Sequence, residues 1–130
     1  MGELMINNES LLAVSAEKDI GNIIKPLVSE IHLFDTYVAG TSHLSDKSVL
    51  DTLTEGCTLT LRREDNKFDE MAIILFSPDG RKVGYVPRKD NLIFARLMDA
   101  GKLLTAKVTE LKPRTSDFMQ ISIGIYLVDI

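Results

Sequence analysis

The sequence predicts a mainly β domain with helices (α+β), in which one inserted helix follows the central hairpin of a small β-barrel. Three observations favour this class: short alternating apolar segments, turn residues between them, and one helical stripe after the hairpin. A strand has a two-residue side-chain period, so each alternating segment predicts a half-buried strand. We expect residues 31–130 to form the barrel domain and residues 1–30 to form a helical N-terminal extension.

The strands are predicted from turn to turn along the chain. Residues 71–76 are apolar on both faces, which predicts a central strand that is covered on both sides. Residues 77–80, Ser-Pro-Asp-Gly, are a strong turn signal, because Pro presets φ at the second position and Gly closes the turn. The predicted strands are residues 32–40, 57–62, 71–76, 81–86, 103–111 and 118–128.

Two segments have helical spacing of their apolar residues. The first spans residues 11–31, is broken at Gly21, and is the basis for the N-terminal extension. The second begins after Asp90, a candidate N-cap, and Gly101 is well placed to end it. The apolar side of this second helix is formed by Ile93, Phe94, Leu97 and Met98.

Composition restricts the class of protein. A chain of 130 residues with 45% hydrophobic content can bury one sizeable core and is too short for two ordinary domains. Its longest apolar run, residues 71–76, is far shorter than the roughly 20 residues of a membrane span. We therefore expect a cytoplasmic, soluble protein. Cys57 is the only cysteine, which excludes an intramolecular disulfide and a Cys-rich zinc site and predicts a buried thiol.

Familiar catalytic groupings are absent from the sequence. The chain has two histidines, His32 and His43, and no Gly-flanked nucleophilic serine or phosphate-cradling glycine loop. Together with Asp35 the histidines would hold a metal only if His32 and Asp35 shared a face. Positions i and i+3 of a strand point to opposite faces. We therefore expect a non-enzyme that needs neither a metal nor a cofactor.

The charge is unevenly distributed along the chain. The net charge is −4, which by itself disfavours binding to phosphates. Between Arg81 and Arg114, however, nine Lys or Arg residues face only three acids, and the rest of the chain is strongly acidic. This distribution predicts one positive face suited to local nucleic-acid binding. The alternative is that these residues are the solvated sides of a helix and two strands.

One loop between the central strands places an aromatic side chain among polar groups. Phe68 is either a core residue that closes the end of the barrel or a platform on which a nucleobase stacks, and composition alone favours the core residue. The adjacent carboxylate of Asp69 repels phosphate but is a good acceptor for a sugar hydroxyl. The residues of the loop leave both interpretations open.

Three separated motifs, in matching order and spacing, resemble the HIRAN domain. They are residues 61–73 (LRREDNKFDEMAI), 80–88 (GRKVGYVPR) and 93–99 (IFARLMD), and residues 37–40 (YVAG) match the family's opening strand. The resemblance covers roughly residues 32–110. It implies an OB-like β-barrel and a DNA-binding module, since HIRAN domains accompany helicase-like DNA remodelling proteins and the best-understood examples capture the 3′ end of single-stranded DNA. Because the sequence contains no helicase or RING segment, we expect a stand-alone module.

The resemblance also assigns roles to residues. Phe68 would stack on the terminal base, Asp69 would accept a hydrogen bond from the 3′-hydroxyl, and Asn66 would support the nucleotide. His43 would close the other side of the base pocket. The residues expected on the DNA backbone are Tyr85, Arg88 and Lys89.

The sequence departs from the family pattern at two of these places. Phe68 stands where end-binding members have Tyr, and Ser42 stands where they have Arg, so one phosphate contact is missing. The cations that are candidates to replace it are Arg62, Arg63, Arg81 and Lys89.

The main functional hypothesis is a non-catalytic module for single-stranded DNA ends in DNA repair or replication-fork processing, with a helicase or nuclease as its partner. The alternative is a protein-interaction module that forms homo-oligomers or binds a partner through residues 1–30 and does not bind nucleic acid. A third hypothesis is a metal-dependent nuclease that uses Asp65, Asp69 and Glu70, but no second cluster completes such a site.

Overall fold

The computed structural model describes residues 29–113 and 119–129. Nearly all of the predicted N-terminal helical extension therefore lies outside the described residues. Contacts divide the chain into one unit of Ile31–Val128 and a second of Met1–Glu30 with Asp129–Ile130. The first unit contains the sheet, the core and the candidate site.

The described residues form six strands, one α-helix and two short 3₁₀ helices. The 3₁₀ helices, Thr41–His43 and Lys47–Thr52, both lie between β1 and β2. The other elements are β1 (Ser29–Tyr37), β2 (Thr58–Asn66), β3 (Asp69–Phe76), β4 (Lys82–Tyr85), α1 (Asn91–Asp99), β5 (Leu104–Leu111) and β6 (Ile121–Asp129). No helix within the described residues is long and apolar enough to cross a bilayer.

The strands form one sheet in the order β1-β6-β5-β2-β3-β4. The sheet is open, so the predicted barrel is wrong in its closure. Its two edges meet at one bridge, where Ala39 and Tyr85 exchange backbone hydrogen bonds of 2.8 and 2.9 Å. The bridge does not extend further because Gly40, with φ of +81°, leads the chain into a 3₁₀ helix. The predicted mainly β arrangement, with one helix after the central hairpin, is otherwise confirmed.

The predicted hairpin of β3 and β4 is confirmed. The Gly80 amide donates to the Ser77 carbonyl at 2.9 Å, and the Ser77 amide donates to the Arg81 carbonyl at 2.8 Å. The prediction for the preceding strand was too short, since β2 continues to Asn66 and pairs along its length with β3. The sequence did not indicate this extension, because residues 63–66 are all polar and the alternation of apolar and polar residues ends at Arg62.

The core lies on one face of the sheet. Alternate residues of β6, namely Ile121, Ile123 and Ile125, are fully buried, as the alternation predicts. Cys57 is half-buried against this core. Further core residues are contributed by the other strands and the 3₁₀ segments, among them Val49, Leu50, Leu59, Ile73, Leu75 and Val83.

The helix covers the core with most of its predicted apolar face, since Phe94 is buried and Leu97 and Met98 pack against the core. Phe94 and Ala95 are buried, whereas Ile93 is 63% exposed, so the apolar stripe is narrower than predicted. Asp90 precedes the helix but makes no side-chain cap. Its carboxylate instead accepts a hydrogen bond of 2.8 Å from the Thr36 hydroxyl, which links the helix start to β1.

His32 and Asp35 contact each other, contrary to the strand-based prediction. The His32 Nε2 lies 2.7 Å from the Asp35 Oδ1, because strand twist and side-chain length let exposed i and i+3 residues meet. His43 lies outside this contact, and no group of metal-binding side chains occurs in residues 29–113 or 119–129.

The turn after β3 contains an aspartate, Asp79, that should make the protein less stable as the pH falls into the acid range. Arg81 and, next, the Ser77 hydroxyl stabilise ionised Asp79 and lower its pKa from 3.8 to about 2. The unfolded chain therefore takes up a proton first as the pH falls, and stabilisation that is present above pH 3.8 is lost toward pH 2.

We expect Asp79→Asn to be less stable than the parent at pH 7 and to lose less of its stability below about pH 4. Urea midpoints at pH 7, 4 and 2 measure both differences. A variant that retains the parent's full acid sensitivity would show that Asp79 is not responsible.

Candidate nucleic-acid interface

The loop between β2 and β3 holds Phe68 out of the core. The Asn66 side-chain oxygen accepts hydrogen bonds from the amides of Phe68 at 2.9 Å and Asp69 at 2.8 Å. This Asx-type turn fixes the loop locally. Phe68 is 73% exposed, so it is not a core residue. A large aromatic held in water by a stabilised turn is typical of a binding surface.

Phe68 stands at the edge of a cavity of about 310 Å³. Five of the seven residues predicted from the family resemblance line this cavity together. The full lining consists of Ala39, Asn66, Phe68, Asp69, Ala72, Tyr85, Val86 and Arg88. Ala39 and Tyr85, which form the bridge between the two sheet edges, both line this cavity, so the bridge also shapes it.

Asp69 is held in place by three neighbours. Its Oδ1 accepts from the Met71 amide at 2.9 Å, and its Oδ2 accepts from the Asn91 Nδ2 at 2.8 Å. The Nε of Arg88 lies 3.9 Å from the same Oδ2. A carboxylate offers about four lone-pair positions, so acceptor capacity remains for a ligand hydroxyl.

Asn91 is a site residue that the sequence analysis missed. It is only 3% exposed, and its amide orients the Asp69 carboxylate from the first residue of α1. Burying an amide without a hydrogen bond costs free energy, so this contact stabilises the fold as well as orienting Asp69. The sequence signal was weak, because Asn is common at helix starts.

Arg88 and Tyr85 lie on one side of the cavity, and Arg88 supplies its positive charge. Arg88 donates from Nη2 to the Phe68 carbonyl at 2.6 Å, yet its side chain remains 75% exposed. The Tyr85 hydroxyl donates to Glu64 at 2.8 Å and accepts from Lys82 at 2.9 Å. The single hydroxyl hydrogen of Tyr85 is thus used by Glu64 and is not available to a ligand in this arrangement.

Two predicted residues lie outside this cavity. His43 lines a neighbouring cavity of about 260 Å³ with Leu44, Ser45, Asp46, Arg81 and Lys82. Lys89 has its ammonium group 5.6 Å from the centre of the Tyr37 ring.

Three of the cations considered as replacements for the missing phosphate contact have other partners. Arg62 stacks over Phe76 at 4.6 Å, and Arg63 donates to the Ala72 carbonyl at 2.7 Å and to Asp99 at 2.9 Å. Arg81 pairs with Asp79 at 2.8 Å and Asp46 at 3.3 Å. These three arginines are therefore engaged in local contacts.

A model of the HIRAN domain family matches residues 31–128. No curated protein matches significantly. The crystal structure of a protein from Lactobacillus plantarum is similar, with 27% identity, a TM-score of 0.72, and coverage of 79% of this chain and 99% of that one.

The crystal structure of the HIRAN domain of human HLTF has a TM-score of 0.61 and covers 77% of this chain and 79% of that one. Its identity of 15% makes this a likeness of fold alone. The family model, in contrast, matches well over half of the sequence. The chain therefore belongs to the HIRAN domain family, whose domains are DNA-binding modules.

Proposed function

We propose that this protein is a non-catalytic module that binds the 3′-hydroxyl end of single-stranded DNA in DNA repair or replication-fork processing. The observation that carries the proposal is the solvent-exposed Phe68 ring at the edge of a cavity that also contains Asp69 and Arg88. An aromatic face, a hydroxyl acceptor and a cation are the three groups that a terminal nucleotide requires.

Each group has a distinct part in the proposed complex. The terminal base stacks on Phe68, an interaction worth about 1 to 3 kcal/mol. The 3′-hydroxyl donates to Asp69, whose orientation is set by Asn91 and the Met71 amide. The exposed guanidinium of Arg88 faces the phosphate. Affinity falls with salt, but with a shallow slope, because few phosphates are neutralised.

The role of Asp69 is tested by changing the strand terminus. A 3′-phosphate places negative charge beside the carboxylate, so the parent should prefer a 3′-hydroxyl strand. Asp69→Asn removes this repulsion and keeps an oxygen for the Met71 amide, but its NH₂ replaces the oxygen that accepts from Asn91, so a urea midpoint is measured alongside to check the fold. We expect the preference to fall by about tenfold, since hydrogen bonds to charged groups are worth roughly 1.5 to 3 kcal/mol.

Fluorescence anisotropy with the two labelled strands measures this preference. Asp65→Asn is the matched control, because Asp65 is an exposed acid of the same hairpin that does not line the cavity. Equal discrimination by Asp69→Asn and the parent would remove Asp69 from the proposed site.

A further inference from the structure

Two cavities lie side by side at the closing edge of the sheet. The larger one contains Phe68 and Asp69, and the smaller one contains His43 and Lys82. They are close along the chain, since Ala39 lines the first cavity and His43, at the end of the 3₁₀ helix Thr41–His43, lines the second.

A side-chain contact links them a second time. Tyr85 lines the first cavity and Lys82 lines the second, and the Lys82 ammonium donates to the Tyr85 hydroxyl at 2.9 Å. The ammonium also lies 4.4 Å from the centre of the Tyr85 ring. Lys82 is exposed, so its charge stands at the boundary between the two cavities.

The charges around the smaller cavity leave Lys82 as the cation best placed for a ligand. Arg81 is held by Asp79 and Asp46, which also keep its pKa above the usual value. Asp46 is thereby paired as well. An ammonium group has three N–H donors, and the bond to Tyr85 uses one of them. The Glu64 carboxylate is linked to Lys82 through the Tyr85 hydroxyl, which donates to it at 2.8 Å.

We infer that the smaller cavity receives a backbone phosphodiester of the DNA strand as it leaves the terminal-nucleotide cavity, with Lys82 as the counter-charge. This assignment rests on the proposed function and adds a second binding position to it. Lys82 supplies a phosphate contact that Arg63 and Arg81 are not free to make, because each is paired with a carboxylate. Arg62 lines neither of the two cavities. The strand then runs from Phe68 across Tyr85 toward His43.

The test asks whether the effect of changing Lys82 depends on the charge of one particular phosphate in the strand. Lys82→Gln removes the charge but keeps an N–H donor for Tyr85, and Lys102→Gln is the control, because Lys102 is exposed in the turn after α1 and lines neither cavity. Each variant is titrated by anisotropy with a short 3′-hydroxyl oligothymidylate. The strand carries either natural linkages or one neutral methylphosphonate at the first, second or third linkage from the 3′ end.

With natural linkages, we expect Lys82→Gln to weaken binding by roughly two- to fivefold and to reduce the salt slope by about 0.7. At one methylphosphonate position the same substitution should have no further effect, whereas Lys102→Gln should show no coupling anywhere. Binding by the parent with no linkage coupled to Lys82 overturns this inference alone. Absence of binding by the parent to any strand overturns the proposed function and this inference with it.

Discussion

Gly84→Ala is expected to lower the free energy of unfolding by about 1 to 3 kcal/mol or more, the cost of overpacking a filled site. A Cβ on Gly84 would lie 2.5 Å from the Ala39 carbonyl oxygen and 2.5 Å from the Val38 Cγ1. The carbonyl belongs to the bridge that joins the sheet edges, so the backbone itself would have to move. Urea denaturation measures the change.

Gly124→Ala is the matched control for this experiment. Gly124 is also buried in a strand, but its new Cβ would meet only side-chain atoms, the nearest being Tyr126 Cε1 at 3.2 Å. We expect a smaller loss of stability there because side chains can shift. Equal losses in the two variants would show that the close approach of Gly84 to Ala39 at the bridge has no special effect on stability.

Phe68→Ala is expected to weaken binding to single-stranded DNA by roughly five- to a hundredfold, the range that corresponds to loss of one base-aromatic stack. Stability should change little, because most of the Phe68 ring is exposed. Anisotropy titration measures the affinity, and a urea midpoint measured alongside it checks the fold.

Two further variants identify the cause of the loss. Phe68→Leu keeps apolar area but removes the π face, so it should bind nearly as weakly as Phe68→Ala. Leu103→Ala truncates another exposed apolar side chain, away from the cavity, and should bind like the parent. If Phe68→Leu restores full affinity, contact with the base is hydrophobic and not a stack.

Much of the fold could be predicted from local sequence. The alternation of β6 and the turn at residues 77–80 specify strands through side-chain period and backbone geometry, which need no distant partner. That the sheet stays open except at one bridge could not be predicted, because the pairing of its edges ends where Gly40 turns the chain beside Tyr85. The exposed Ile93 was missed because its spacing matches a helical stripe.

The site was only partly accessible from sequence. The loop residues Asn66, Phe68 and Asp69 are adjacent, so the family motif already groups them. Long-range contacts decide the rest. The amide of Asn91 reaches Asp69 from α1, and His43 lies in the neighbouring cavity, which no local pattern indicates.

The most direct test of end capture uses a strand without ends. The parent protein is titrated by competition anisotropy with one short DNA sequence, supplied either as a linear 3′-hydroxyl strand or as a covalently closed circle of equal length. Both forms carry nearly the same phosphate charge, so general electrostatic binding is matched. We predict that the linear strand competes at least about tenfold more strongly, from loss of the stacked terminal nucleotide and its hydroxyl contact. Equal competition by the circle would contradict recognition of a 3′ end.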